Sequence, residues 1–519
     1  LIEASAEGGL RPIICRQERV GIAIADGFSR ITSGKRIGVF AMQHGPGSEN
    51  AFPGVAQAFA ESVPILLLPS GNSRNRAYIK PYFSAVHNYE RVVKWGAEVN
   101  LPQRVPDLMR QAFSNLRSGR PGPVVVEVPN DLMREDIGGD LSDYRPAKAA
   151  KYAADPQDVR EAARALLAAK CPVVHAGQGV LYAEASAELV KLAEMLQAPV
   201  MTTLSGKSGF PEGHPLSLGT GSHATTGPVH HFLQNADLVL GIGCSFTRTV
   251  FGVDIPPGKV MVHSTNDPAD LNKDYRADIS LVGDARLVLG QLIEEVRRQA
   301  GNDQPGAGRK TAAEVRAVKD EWLGQWMPKL TSDETPINPY RIVRELARTL
   351  DRDNAIVTHD AGSPRDQMTP FYEATVPHSY AGWGKSTQLG FGLGLAMGAK
   401  LAQPDKVCVN VMGDAAIGMV GMDFETAVRA KIPIITIVLN NSAMSIEVPT
   451  LQVATERFGA KWMYGNYSEV AKALGGWSER VTKPAEIVPA LKRAIQVTKS
   501  GTPALLEFIT KEERAFSMF

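Results

Sequence analysis

The run Val407-Cys-Val-Asn-Val-Met-Gly-Asp-Ala-Ala416 decides how this chain is read, because an apolar, β-branched strand ends directly on Gly-Asp. A helix-like segment to Ala430 follows, then a second apolar strand, Ile434-Ile-Thr-Ile-Val-Leu439, which ends on Asn440-Asn441. Strand, helix and strand in that order form a parallel crossover unit. Its two strand ends face one crevice, where ligands of open α/β sheets bind. Asp414 and the Asn441 amide offer oxygens to a hard cation there, and with a backbone carbonyl they suit magnesium, which keeps room for phosphate oxygens. Gly413 lets a phosphate approach the backbone closely. Turn chemistry alone also puts Asp and Asn at strand ends, so either residue taken singly fits a structural role as well.

The same alternation of short apolar strands and helical-period segments runs through all 519 residues, too long a chain for one core. Candidate strands are 36–40, 63–68 and 124–128, with a helix at 105–117; then 172–175, 200–203, 238–243 and 260–263; then 355–358, 407–412, 434–439 and 504–508. The stretch Arg145-Pro-Ala-Lys-Ala-Ala-Lys151 and the Gly-rich run 301–308 read as breaks between blocks. The predicted fold class is therefore α/β, three Rossmann-like domains with mainly parallel sheets. The expected boundaries are 1–145, 152–300, a linker over 301–335, and 336–519.

Composition narrows the function. With 56 Lys plus Arg against 55 Asp plus Glu, the net charge of +1 provides no field for nucleic acid or an anionic membrane. A small-molecule role is favoured. No apolar run reaches the roughly 18 residues of a membrane span, and no signal sequence opens the chain. Cys15, Cys171, Cys244 and Cys408 form no CxxC pair and read as reduced core thiols, which suggests a soluble, cytoplasmic protein. The abrupt start at Leu1 suggests that more chain precedes it. His230-His231 has no carboxylate or Cys at ligand spacing, so packing or surface roles are expected.

Two further motifs bear on chemistry. Cys15-Arg-Gln-Glu-Arg-Val-Gly-Ile-Ala-Ile-Ala-Asp-Gly-Phe-Ser-Arg30 carries Glu18, which by itself also suits a helix N-terminus. Gly45-Pro-Gly47 follows the next strand. Gly382-Trp-Gly-Lys-Ser-Thr-Gln-Leu-Gly-Phe-Gly-Leu-Gly394 is a glycine-rich run opening a helix, which alone could serve only packing.

Taken together, the Gly-Asp, the 27 residues from Asp414 to Asn441 and the Asn-Asn resemble the thiamine diphosphate (ThDP) fingerprint. The Glu18 segment with Gly45–Gly47 resembles the pyrimidine-binding segment of the same enzymes. Over nearly the whole chain the sequence is similar to the acetolactate synthase-like, 2-oxo acid decarboxylase superfamily, including 117–124, 272–278 and 282–285. The resemblance implies pyrimidine-binding, central and diphosphate-binding domains, and cofactor sites between subunits of a homodimer or homotetramer.

By that resemblance Asp414, Asn441 and the Ala443 carbonyl would ligate Mg2+, and Gly413, Ala415, Ala416 and Met444 would border the cofactor. Glu18 would exchange a proton with the aminopyrimidine ring nitrogen, so that the 4′-imino nitrogen can deprotonate the thiazolium. Thr387 would accept the 4′-amino proton through its carbonyl, and Leu389 would be the wedge that bends ThDP. The implied reaction is ThDP- and magnesium-dependent decarboxylation of a 2-oxo acid, with the enamine protonated to an aldehyde or transferred to a second carbonyl.

Asn440-Asn-Ser-Ala-Met-Ser-Ile-Glu447 resembles the pyruvate decarboxylase pattern, making Glu447 a candidate acid. Gln43-His44 takes the place of that family's His pair. Other departures concern flavin. Acetolactate synthases have Arg-Phe-Asp-Asp-Arg-Val-Thr-Gly where this chain has Ser245-Phe-Thr-Arg-Thr-Val-Phe-Gly252, so Thr249 replaces an Arg, and Ser264-Thr-Asn-Asp-Pro268 replaces Ile-Asp-Ile-Asp-Pro. FAD is therefore expected to be absent. The alternatives are a 2-hydroxyacyl-CoA or oxalyl-CoA lyase or decarboxylase, and a non-catalytic nucleotide-binding paralogue. Retention of Glu18 with Asp414 and Asn441 speaks against the last.

Overall fold

The computed structural model of the protein describes every residue except 139, 140, 142, 143, 303–305 and 307. The end of the expected first domain and half of the 301–308 break thus lie partly outside the described residues. Three sheets account for the architecture, and every ladder in them is parallel.

The first sheet contains β1 (Gly38–Met42), β2 (Ile65–Gly71), β3 (Trp95–Glu98) and β4 (Val124–Pro129), in the order β1-β2-β4-β3. The second contains β5 (Pro172–Ala176), β6 (Val200–Thr203), β7 (Ser217–Gly221), β8 (Leu238–Ile242), β9 (Val260–Thr265) and β10 (Ile279–Val282), in the order β10-β9-β8-β5-β6-β7. The third contains β11 (Ala355–His359), β12 (Tyr380–Ala381), β13 (Val407–Gly413), β14 (Ile435–Asn440), β15 (Trp477–Val481) and β16 (Ala504–Ile509), in the order β12-β11-β13-β14-β16-β15. The central strands β13 and β14 are buried along nearly their whole length. Helices cover both faces, which is why they read as unbroken apolar runs.

The structure differs from the sequence reading at several points. The first two strands lie two residues later than expected, and β3, β7, β10, β12 and β15 were not anticipated. The segment from Asp414 to Ala430 is two helices, Asp414–Val420 and Phe424–Arg429, separated by a 3-10 turn. The expected linker contains the helix Thr311–Leu330. Cys244 and Cys408 are buried as expected, but Cys15 is half-buried and Cys171 exposed, because Cys171 stands just before β5 rather than in it. Among the described residues no helix is long and apolar enough to cross a membrane.

The first and third sheets meet through two helices, Glu18–Ile31 and Phe391–Ala402. A Cβ at Gly27 would lie 2.3 Å from the Leu395 carbonyl oxygen and one at Gly398 would lie 2.1 Å from that of Ile24. Neither position tolerates a side chain, so the two backbones approach directly. Behind this seam, Arg30 pairs with Asp26 at 2.9 Å, both buried, and donates to the Gly382 carbonyl at 3.0 Å. That bond anchors the start of the glycine-rich run.

Candidate cofactor site

The register of β13 on β14 pairs Val409 with Ile435 and Gly413 with Leu439, so Asp414 and Asn441 leave the sheet at the same edge. One cleft there is lined by Gly413, Asp414, Ala415, Ala416, Asn441, Ala443 and Met444, together with Leu389 and Glu447. Asp414 is 3% exposed. One of its oxygens, Oδ1, accepts from the Ala415 N–H at 2.8 Å, whereas the buried Oδ2 has no hydrogen-bond partner. Burial pushes this carboxyl up to about 6, against the pull of the N–H groups of Ala415, Ser442, Ala443 and Asn441. A buried, unpartnered carboxylate oxygen is costly in isolation. A bound cation would give such an atom a partner.

The rest of the donor set fits. Ala443 N–H donates to Asn441 Oδ1 at 3.0 Å, and Asn441 Nδ2 donates to Ser445 Oγ at 2.6 Å, which fixes the amide with its oxygen side defined. One carboxylate, one amide oxygen and one carbonyl form an all-oxygen set that leaves positions for phosphate, as magnesium prefers. Gly413 is open on its Cβ side, with nothing nearer than Pro364 at 3.9 Å. The N-terminus of helix Ser363–Phe371 borders the same cleft, and the positive end of its dipole favours an anion.

Sequence reasoning missed Asp360. It is fully buried at the end of β11, next to β13 across the point where strand order reverses. Its Oδ1 accepts from Ala361 N–H at 2.9 Å and Gly390 N–H at 2.8 Å, and its Oδ2 accepts from Gly392 N–H at 2.9 Å. It thereby fixes the backbone on either side of Phe391, just after Leu389. The available signal was the pattern Ala355-Ile-Val-Thr-His-Asp360, a strand running into Asp just as β13 does. Glu61 was missed too. It is buried, and its Oε1 accepts from Gly384 N–H at 2.8 Å and Lys385 N–H at 2.6 Å, while its Oε2 accepts from Ser205 at 2.7 Å. Glu61 therefore ties the segment before Thr387 to both other blocks.

Glu18, Gln43 and His44 do not line this cleft. Glu18 opens helix Glu18–Ile31 beside the start of helix Pro46–Ala60, where a Cβ at Gly47 would lie 3.6 Å from its carboxylate. His44 donates its backbone N–H to Ser70 Oγ at 2.9 Å, and Gln43 is exposed. Thr387 precedes the cleft by two residues and is half-buried. Glu447 is exposed at the cleft mouth. His231 faces Glu314 at 2.8 Å and His230 stacks on Phe519. Both are surface or packing residues, as expected.

A larger cavity of about 530 Å3 lies where all three blocks meet. Gly177 after β5 and Gly243 after β8 line it, as do Thr249, Arg120 and Lys385. His175 beside it is buried with neither ring nitrogen bonded, and burial holds it down to about 4, so it is neutral.

These features define a class: a three-sheet parallel α/β protein with a strand-end cleft suited to a metal-bound diphosphate. Comparison with known proteins gives the family. Residues 1–90 match the thiamine pyrophosphate enzyme N-terminal TPP binding domain, residues 159–292 the central domain, and residues 360–508 the C-terminal TPP binding domain. A probable acetolactate synthase large subunit of Methanocaldococcus jannaschii is 30% identical over 99% of this chain and 88% of its own length. One from Methanococcus aeolicus is 29% identical over 98% and 86%, and a glyoxylate carboligase of Escherichia coli is 28% identical over 98% and 88%. The chain belongs to the ThDP-dependent enzymes of the acetolactate synthase-like superfamily, which act on carbon–carbon bonds.

Proposed function

We propose that the protein cleaves the bond between the carbonyl carbon and carboxylate of a 2-oxo acid, with ThDP held through magnesium. The acyl unit is then released as an aldehyde or passed to a second carbonyl compound. The observation that carries this reading is the buried, unpartnered Asp414 Oδ2 beside Asn441 and the Ala443 carbonyl. When bound, ThDP supplies the electron sink that loss of carbon dioxide from a 2-oxo acid requires.

The chain's own residues do the rest. Asp414, Asn441 and Ala443 hold the metal, Gly413, Ala415 and Ala416 present backbone to the diphosphate, and Met444 closes one side. Leu389 would pack against the cofactor from the glycine-rich segment, and the Thr387 carbonyl would accept a hydrogen bond from its amino group. Glu18 holds and returns a proton at the aminopyrimidine ring nitrogen, a task that suits a carboxylate able to cycle. His44 and Glu447 would handle protons at the substrate end, with Gln43 beside His44 as a neutral hydrogen-bonding group. Because Glu18, Gln43 and His44 lie outside the cleft of their own chain, the reading calls for a second copy to supply them, in a homodimer or homotetramer. The relative named a glyoxylate carboligase supports transfer to a second carbonyl. A cytoplasmic site of action accords with the unpaired cysteines.

The same reading expects no flavin. Thr249, in the wall of the central cavity, cannot supply the permanently charged fork that an Arg presents to phosphate. A second reading, a 2-hydroxyacyl-CoA or oxalyl-CoA enzyme, is favoured by that cavity's size and by Arg120 and Lys385 beside it. Mass analysis of products from a panel of 2-oxo acids, with and without aldehydes, separates the two from a parallel panel of acyl-CoA thioesters. Turnover of thioesters alone would replace the first reading by the second.

A further inference from the structure

Away from the cofactor cleft, a crevice of about 330 Å3 opens where helix Thr311–Leu330 and helix Pro339–Thr349 meet β7 and the end of helix Ser363–Phe371. That is within the usual size range of ligand sites. Its walls are of two kinds. One is apolar, with Trp322 stacked on Phe371 at 5.1 Å between ring centroids. The other carries four cations, Lys319, Arg344, Arg348 and Arg352.

The carboxylates nearby do not balance them. Glu373 is shared between Lys319 at 2.5 Å and Arg352 at 3.4 Å. Arg344 shares Glu345 with Arg341, each at 3.0 Å. Glu212 is occupied by the buried Lys207 at 2.6 Å. Among the described residues Arg348 has no hydrogen-bond or ion-pair partner. The crevice therefore holds an excess of positive charge against an aromatic floor, the pairing that suits an anion with an apolar body.

We propose that this crevice binds a small carboxylate with an aliphatic or aromatic body, as an effector site separate from the cofactor cleft. Arginine forks match a carboxylate in two bonds, and the Trp322–Phe371 stack takes the apolar part. The position supplies a route to the active centre. Ser363, Pro364 and Gln367 line the cofactor cleft, and Pro370 and Phe371 line the crevice. One nine-residue helix, about 13 Å long, thus touches both. This coupling rests on the cofactor reading proposed above, whereas binding in the crevice does not.

Benzoate, which has no 2-oxo group to enter the chemistry, is the probe, with inorganic phosphate as the comparison. Calorimetry on the full chain at fixed ionic strength is expected to show saturable benzoate binding at one site per chain. Arg348→Glu should weaken it about tenfold or more, the worth of a charged hydrogen bond. Arg348 is exposed and unpartnered, so an unchanged thermal midpoint should confirm that the variant is folded. Asp414→Ala should still bind benzoate saturably at one site per chain even where ThDP binding is lost, which separates failure of the two readings. No saturable binding, equal affinity in Arg348→Glu, loss in Asp414→Ala instead, or phosphate binding as well as benzoate would each overturn the proposal.

Discussion

Asp360→Asn tests how the cofactor segment is held. The wild-type carboxylate satisfies three backbone N–H groups, those of Ala361 and Gly390 through Oδ1 and that of Gly392 through Oδ2. In the best orientation the amide oxygen keeps the first two, and the amide nitrogen then confronts the Gly392 N–H, donor against donor. A buried donor left unpaired costs about 1–3 kcal/mol, so a loss of that size is expected at pH 8, where the carboxyl is ionised, in urea denaturation followed by circular dichroism. The pH dependence has a definite sign. Burial raises the Asp360 carboxyl from 3.8 to about 6, so its contribution to stability is fully present below 3.8 and is lost as pH rises through about 6. The variant cannot titrate there, and its deficit should shrink between pH 5 and pH 8. Freed backbone at Gly392 should also loosen the turn that carries Leu389, weakening ThDP binding about tenfold for each 1.4 kcal/mol lost. A variant with wild-type urea midpoints at both pH values and wild-type ThDP affinity would refute the reasoning.

Asp414→Ala should abolish ThDP retention at ordinary magnesium, because the diphosphate then meets the cleft without its bridge; calorimetry showing unchanged affinity would reject the ligand assignment. Glu18→Gln should leave ThDP bound but slow proton exchange at the thiazolium carbon by about two to four decades, read by acid quench and NMR, and wild-type exchange would remove Glu18 from its role. Burial, with Arg120 nearby, draws the Lys385 ammonium down to about 8, so unfolding binds a proton between pH 8 and the usual lysine range and stability should rise across that interval. Lys385→Met should erase that rise and increase stability at pH 7; the same slope in both proteins would show that another group is responsible. The purified protein should carry no flavin absorbance, and stoichiometric FAD would restore the flavin-dependent assignment.

The strand-end cleft proposed for the diphosphate was legible because its residues follow long, fully buried strands. β13 and β14 announce themselves by composition, and the Gly-Asp and Asn-Asn stand where such strands must end. Edge strands gave no such signal. β12 has two residues and β15 is Trp-Ser-Glu-Arg-Val, half polar on an edge that solvent reaches. Asp360 escaped notice because its partners, Gly390 and Gly392, are some thirty residues away, and a carboxylate that organises backbone looks in sequence like any turn residue. Glu61 is similar, since only the meeting of three blocks shows that it bonds Ser205 and Gly384 together. The helix break at 421–423 has the same kind of origin. Asp423 turns its carboxylate to the Arg16 and Gln17 N–H groups of the first block, a tertiary demand that local helix periodicity does not contain.

The central claim is tested most directly by carbon dioxide release from 2-oxo acids, measured on protein stripped of cofactor and then reconstituted. Release, with an aldehyde or a carbon–carbon ligation product in equal amount, should appear only when ThDP and magnesium are both restored, and should vanish in Asp414→Ala. Release that is indifferent to ThDP or to magnesium, or no release from any 2-oxo acid by the fully reconstituted protein, would contradict the account.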